Sequence, residues 1–86
     1  MNMPEDIRPG DCVRIPDGRI ARVRDHIEGV YRVRVRRKTS QTHQFIEFYE
    51  EDLTKVECPK GWMRPDGYNR YLKVTLEKMR LRRYNS

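Results

Sequence analysis

From Tyr31 to Arg36 the chain alternates apolar and cationic side chains without a break: Tyr31-Arg32-Val33-Arg34-Val35-Arg36. In a strand, successive side chains point to opposite faces. The segment therefore predicts a half-buried antiparallel strand, with the valines on one face and a row of guanidinium groups on the other. Such a row repels itself unless anions lie near it. Those anions come either from the protein's own acids or from a partner's phosphates, and that alternative is the functional question this sequence poses.

The flanking segments extend the same period. Pro9-Gly10 delivers a lead-in, residues 1–10, to a first strand over Asp11 to Ile15, and Pro16-Asp17-Gly18 is a turn because proline fixes φ and glycine accepts φ > 0. Arg19 to His26 is the next strand, with Ala21 and Val23 on one face and Arg22 and Arg24 on the other. If it buries the same side as Val33 and Val35, paired positions must sum to an even number. Pairing His26 with Val30 satisfies that and leaves a three-residue loop, Ile27-Glu28-Gly29, with glycine last. Val23 then faces Val33, Arg24 faces Arg32 and Arg22 faces Arg34.

Arg37 to His43 is polar and reads as a loop. Gln44 to Tyr49 is a further strand with Ile46 and Phe48 inward and Phe45, Glu47 and Tyr49 outward. Glu50-Glu51-Asp52-Leu53 is an acidic turn pinned by its leucine, leading to a short strand over Thr54 to Glu57, after which Cys58-Pro59-Lys60-Gly61 breaks the chain. The period then changes. Tyr68, Tyr71, Leu72, Thr75, Leu76 and Met79 recur at helical spacing, which predicts an amphipathic helix from Pro65 or Asp66-Gly67 to about Arg83, packed on the sheet through that face. Arg70, Lys73, Glu77 and Arg80 occupy the opposite side, with Val74 and Leu81 among them, and Trp62 and Met63 are placed to bridge sheet and helix.

Eighty-six residues with 36% hydrophobic and 37% charged side chains suit one domain with a small core, divided into residues 1–60 and a helical segment 61–86. No apolar run exceeds two residues, so a transmembrane helix is not expected, and the polar N-terminus does not read as a signal peptide. Two cysteines, Cys12 and Cys58, do not make a disulfide framework. The expectation is a soluble cytoplasmic protein with reduced thiols.

Five short strands separated by tight turns, with Pro9-Gly10-Asp11 and Val13 opening the first, Asp17-Gly18-Arg19 after it and Glu51-Asp52-Leu53 before the last, resemble the SH3-like small β-barrel, nearest in appearance to KOW- and Tudor-like modules. The resemblance covers residues 8–57. It implies a mainly β fold, a five-stranded antiparallel barrel carrying a C-terminal helix, and a role in transcription, translation, chromatin reading or a larger complex. Fold alone does not choose among these.

The net charge of +6 and pI near 9.7 favour a polyanionic partner, DNA, RNA or an acidic protein surface. Between Arg14 and Lys38 there are nine basic and three acidic residues. The candidate nucleic-acid-binding set is Arg22, Arg24, Arg32, Arg34, Arg36, Arg37 and Lys38, joined by Arg70 and Lys73 on the helix, because arginine forks suit phosphate oxygens and give sequence-independent affinity. Against this stands a solvated ion network: Thr39 to Glu57 holds five acids and one lysine, and Glu47 points outward beside the arginine row. The cationic end of the helix, Arg80, Arg82 and Arg83, equally complements the helix dipole.

Phe45 and Tyr49, sharing the outward face, are the aromatic residues placed to stack bases. Tyr31, Trp62, Tyr68 and Tyr71 are further candidates, with the last three assigned first to the core. The Tudor-like resemblance implies a second use for such aromatics, a cage for methylated lysine. Cys12, His26, His43 and Cys58 have the ligand types of a zinc site, but no knuckle spacing brings them together. No phosphate loop, nucleophile elbow or paired carboxylates announce an enzyme, a cofactor or a small-molecule substrate. The alternative function is a protein-interaction subunit docking on an acidic surface through the helix, with Val74 and Leu81 in contact.

Overall fold

A computed structural model describes residues 6–85, with side chains described for residues 6–78. Five strands, β1 (Cys12–Arg14), β2 (Ile20–Ile27), β3 (Val30–Arg36), β4 (His43–Tyr49) and β5 (Thr54–Val56), form one antiparallel sheet in the order β4-β3-β2-β1-β5. A 3-10 turn over Glu50–Asp52 joins β4 to β5, and α1 (Pro65–Asn85) ends the chain. The edges β4 and β5 are not paired with each other, so the strand pairing does not close the sheet into a barrel.

The period-two reading of β3 describes its burial: Tyr31, Val33 and Val35 are buried while Arg32, Arg34 and Arg36 are exposed. Val13, Ile15, Ala21, Val23 and Leu53 complete the core, with Ile46 and Phe48 packed against it. Ile7 also enters it, from a lead-in expected only to deliver the chain. A turn closed by Asp11 N–H donating to the Arg8 carbonyl, and by Arg8 N–H donating to Asp11 Oδ2, aims this segment inward.

The β2–β3 hairpin departs from the expected register in an instructive way. Val23 faces Val33 and Arg22 faces Arg34, as parity requires, but beyond them Asp25 pairs with Arg32, His26 with Tyr31 and Ile27 with Val30. Arg24 is the extra residue of a β-bulge, so paired positions sum to 56 before it and 57 after it. The turn is consequently two residues, Glu28 and Gly29, with φ of 51° and 79°. Both lie in the left-handed region that the mirror-image two-residue turn demands. The bulge lets this tight turn coexist with a buried valine pair, and it puts an acid instead of Arg24 opposite Arg32.

Cys12 and Cys58 form a disulfide, with Cα atoms 5.2 Å apart. This corrects the reduced-thiol expectation and removes the argument for a reducing compartment that rested on it. The bond fixes the segment after β5 against β1, so the turn that follows, in which Trp62 N–H donates to the Pro59 carbonyl, is held beside the sheet.

The helix has the expected bounds but not the expected docking. Tyr68 is buried and Leu72 and Thr75 are half-buried, while Tyr71, Val74 and Leu76 are about half exposed. Packing is concentrated at the first turn. There Asn69 Nδ2 donates to the Pro9 carbonyl at 2.9 Å, and the Asn69 side chain lies so close to Gly10 (φ 96°) that a Cβ would stand 2.6 Å from it. The remainder projects, which accounts for a longest dimension of 52 Å against 32 and 26 Å. The side chains of Met79, Arg80, Leu81, Arg82 and Arg83, and residues 1–5 of the lead-in, lie outside the described residues. Among the described residues no helix is long and apolar enough to cross a membrane.

Candidate nucleic-acid interface

The outer face of β2, β3 and β4 carries the arginines, and the fold treats them in three ways. Arg22 leaves the solvent. It is only 6% exposed, and its guanidinium donates to the Gly10 carbonyl at 2.8 Å and to the Met63 carbonyl. Its Cζ lies 4.5 Å from the Tyr68 ring centre and 5.8 Å from that of Trp62. Burial lowers its pKa, with Tyr68 and Asp11 opposing the shift. Carbonyl dipoles and ring faces stand in for a carboxylate, so Arg22 joins sheet, linker and helix. This corrects its assignment to the phosphate-contacting row.

Arg32 is tied to an internal acid. Its Nε donates to Asp25 Oδ2 at 3.1 Å and its terminal nitrogen reaches the same carboxylate, the two-point geometry that arginine makes best. Glu47 stands opposite Arg32 in the β3–β4 ladder, and Arg34, two residues along, stands opposite Phe45. Lys38 lies 3.7 Å from Asp17, whose carboxyl hydrogen bonds from the Arg19 side chain and backbone lower to about 2. The intramolecular network weighed from the sequence is therefore real at Arg32 and partial at Lys38.

Arg24, Arg34, Arg36 and Arg37 form the third group. Among the described residues none of their guanidiniums lies within ion-pair distance of a carboxylate. Arg24 sits over the Phe45 ring at 5.2 Å, and Arg32 approaches the same ring at 5.5 Å. Phe45 is thus an exposed ring flanked by two cations, and Tyr49 is exposed further along the same strand. Arg37 reaches the Gln44 amide oxygen at 3.4 Å. Arg34 approaches His43 Nδ1 at 3.4 Å, a contact in which the imidazole nitrogen must accept because a guanidinium only donates. His43 has its pKa lowered by desolvation and then by Arg34 and Arg36, which keeps that nitrogen free.

Arg34 and Arg36 open onto a groove of about 530 Å³ between the outer sheet face and the start of α1. Its other walls include His43, Trp62, Met63, Tyr68 and Tyr71. Trp62 and Tyr71, expected in the core, are 43% and 51% exposed, whereas Tyr68 is buried as expected. The residues that sequence reasoning misplaced are thus the aromatic wall and His43. The one signal for the wall was the run of Trp62, Tyr68 and Tyr71 after the Cys58–Gly61 break, a break that the disulfide positions. Arg70 and Lys73 are exposed but lie roughly 140–200° around the helix from Tyr68 at 100° per residue, so they do not share this groove. Cys12 and Cys58 are bonded to each other and offer no thiolate. Among the described residues no group of three or more histidine, cysteine or acidic side chains is placed to hold a metal.

Comparison with known protein families, curated proteins and solved structures finds no match to this chain.

Proposed function

We propose that this protein binds nucleic acid through the phosphate backbone, using Arg24, Arg34, Arg36 and Arg37 with Lys38 at the margin. The observation that carries this reading is the position of Arg34 and Arg36. They project from alternate residues of β3 onto one exposed face, and neither meets a carboxylate among the described residues. Alternate residues of a strand are about 6.6–6.8 Å apart, a spacing comparable with that of successive phosphates along one nucleic acid strand. Two of the arginines first grouped with them do structural work, which reduces the binding row without removing it.

The finer fold reading belongs to the same proposal. An SH3-like barrel is supported by five antiparallel strands, the bulge in β2, and the short 3-10 turn before β5 pinned by buried Leu53. A second reading, a protein-interaction subunit, is favoured by Tyr71, Val74 and Leu76 standing half exposed on a projecting cationic helix.

Fluorescence anisotropy with labelled single- and double-stranded DNA and RNA at low salt tests the first reading. Binding that weakens steeply with salt is the expected result. No binding to any of the four polymers, with capture of an acidic protein that depends on Val74 and Leu76, selects the second.

A further inference from the structure

Resting on the nucleic-acid reading, we infer that the groove between the outer sheet face and α1 receives an unpaired nucleobase, so that the preferred ligand is single-stranded. Three observations meet there. Trp62 and Tyr71 present accessible ring surface from the linker and the helix. Arg34 and Arg36 line the same groove and supply the cations a flanking phosphate needs. The hydroxyl of Tyr68, a groove-lining side chain only 6% exposed, has no hydrogen-bond partner among the described residues. A buried hydroxyl left alone is costly, so a wall of the groove holds an unmet polar group.

The volume of about 530 Å³ falls within the roughly 300–1,000 Å³ usual for small-ligand sites. Charge decides the class of occupant. A methylated lysine, the other ligand of aromatic clefts, would meet Arg34 and Arg36, and the place it would take over Tyr68 is filled by the Arg22 guanidinium. An aromatic ligand bearing negative charge has the opposite balance. A base held in a duplex stack cannot enter between helix and sheet, whereas an unstacked base can lie against an aromatic ring with little regard to its identity.

Trp62 is the sole tryptophan, so its emission reports directly on the groove. The full chain is titrated with a 12-nucleotide oligothymidylate, the matching oligouridylate and a 12-base-pair DNA duplex at one ionic strength. The expected result is quenching of Trp62 by at least one single strand, with affinity tenfold or more above the duplex. Tyr71→Ala should weaken single-strand binding about five- to a hundredfold, the range that loss of one stacked base produces, and leave the salt slope unchanged. Tyr71→Phe, which keeps the ring, should retain binding, and circular dichroism should show both variants folded because the residue is half exposed. Equal affinity for single strand and duplex, or single-strand binding indifferent to Tyr71→Ala, overturns the inference while leaving phosphate binding intact. Loss of binding in Tyr71→Phe overturns it as well, since the hydroxyl and not the ring would then be responsible. Failure of every oligonucleotide to bind at low salt removes the nucleic-acid reading itself.

Discussion

Arg22 and Arg34 face each other across the hairpin, yet one is structural and the other is exposed with no carboxylate partner among the described residues. The difference comes from what lies above them: the linker and first helical turn cover Arg22, and only the groove lies beside Arg34. Arg22→Ala should therefore destabilise the protein by about 2–4 kcal/mol, since it leaves two carbonyls without their donor and opens a void between the rings. Arg34→Ala should change stability by less than about 0.5 kcal/mol. Chemical denaturation of the two variants makes the comparison, and equal effects would contradict the division of roles. His43 adds a pH dependence. Its folded pKa lies below its unfolded value of about 6.5, so the folded state resists protonation. Its contribution is complete above the unfolded value and is lost as pH falls through the folded one. A phosphate beside Arg34 and Arg36 would reverse the shift, so binding should take up a proton and tighten as pH falls toward 6. His43 imidazole shifts followed by NMR, with and without oligonucleotide, should show the pKa rising on binding.

At the scale of elements, the strands were legible because alternation in a half-covered sheet leaves little freedom. Val33 and Val35, Ile46 and Phe48, and the helix bounds all follow from period. What period cannot express is an inserted residue. The hairpin parity argument holds at Val23–Val33 and fails past Arg24, because a bulge changes parity without leaving a mark in composition. Covalent geometry was equally invisible: Cys12 and Cys58 are 46 residues apart, and only the β1–β5 pairing shows that their backbones meet. The helix misled for another reason, since an apolar stripe states a capacity for burial and does not supply a surface long enough to bury it. The disulfide carries its own prediction. Closing a loop of that length restricts the unfolded chain, and Cys58→Ser should cost about 2–4 kcal/mol. It should also loosen the Pro59–Trp62 turn and shift Trp62 emission toward that of a solvated indole. A variant with unchanged melting temperature and emission would show that strand pairing alone holds the linker.

For the molecule as a whole, the fold sorts its charge instead of spreading it. Asp25 and Asp17 meet Arg32 and Arg19, Asp11 meets Lys55 at 3.4 Å, and guanidiniums without a carboxylate partner among the described residues gather at the end of β3 and just beyond it, while residues 61–86 carry seven basic side chains against two acidic ones. A sheet face on which Arg24, Arg34 and Arg36 have no acidic partner among the described residues has a local field suited to a polyanion, screened over roughly 10 Å at 0.1 M salt. In the proposed complex this field acts through Arg34 and Arg36. The salt dependence of oligonucleotide binding by the wild-type chain and by the Arg34→Gln, Arg36→Gln double variant tests it most directly. Log affinity should fall linearly with log salt, with a slope that drops by about 0.7 for each arginine removed from a single-strand contact. A double variant that stays folded and binds with unaltered slope and affinity would contradict it.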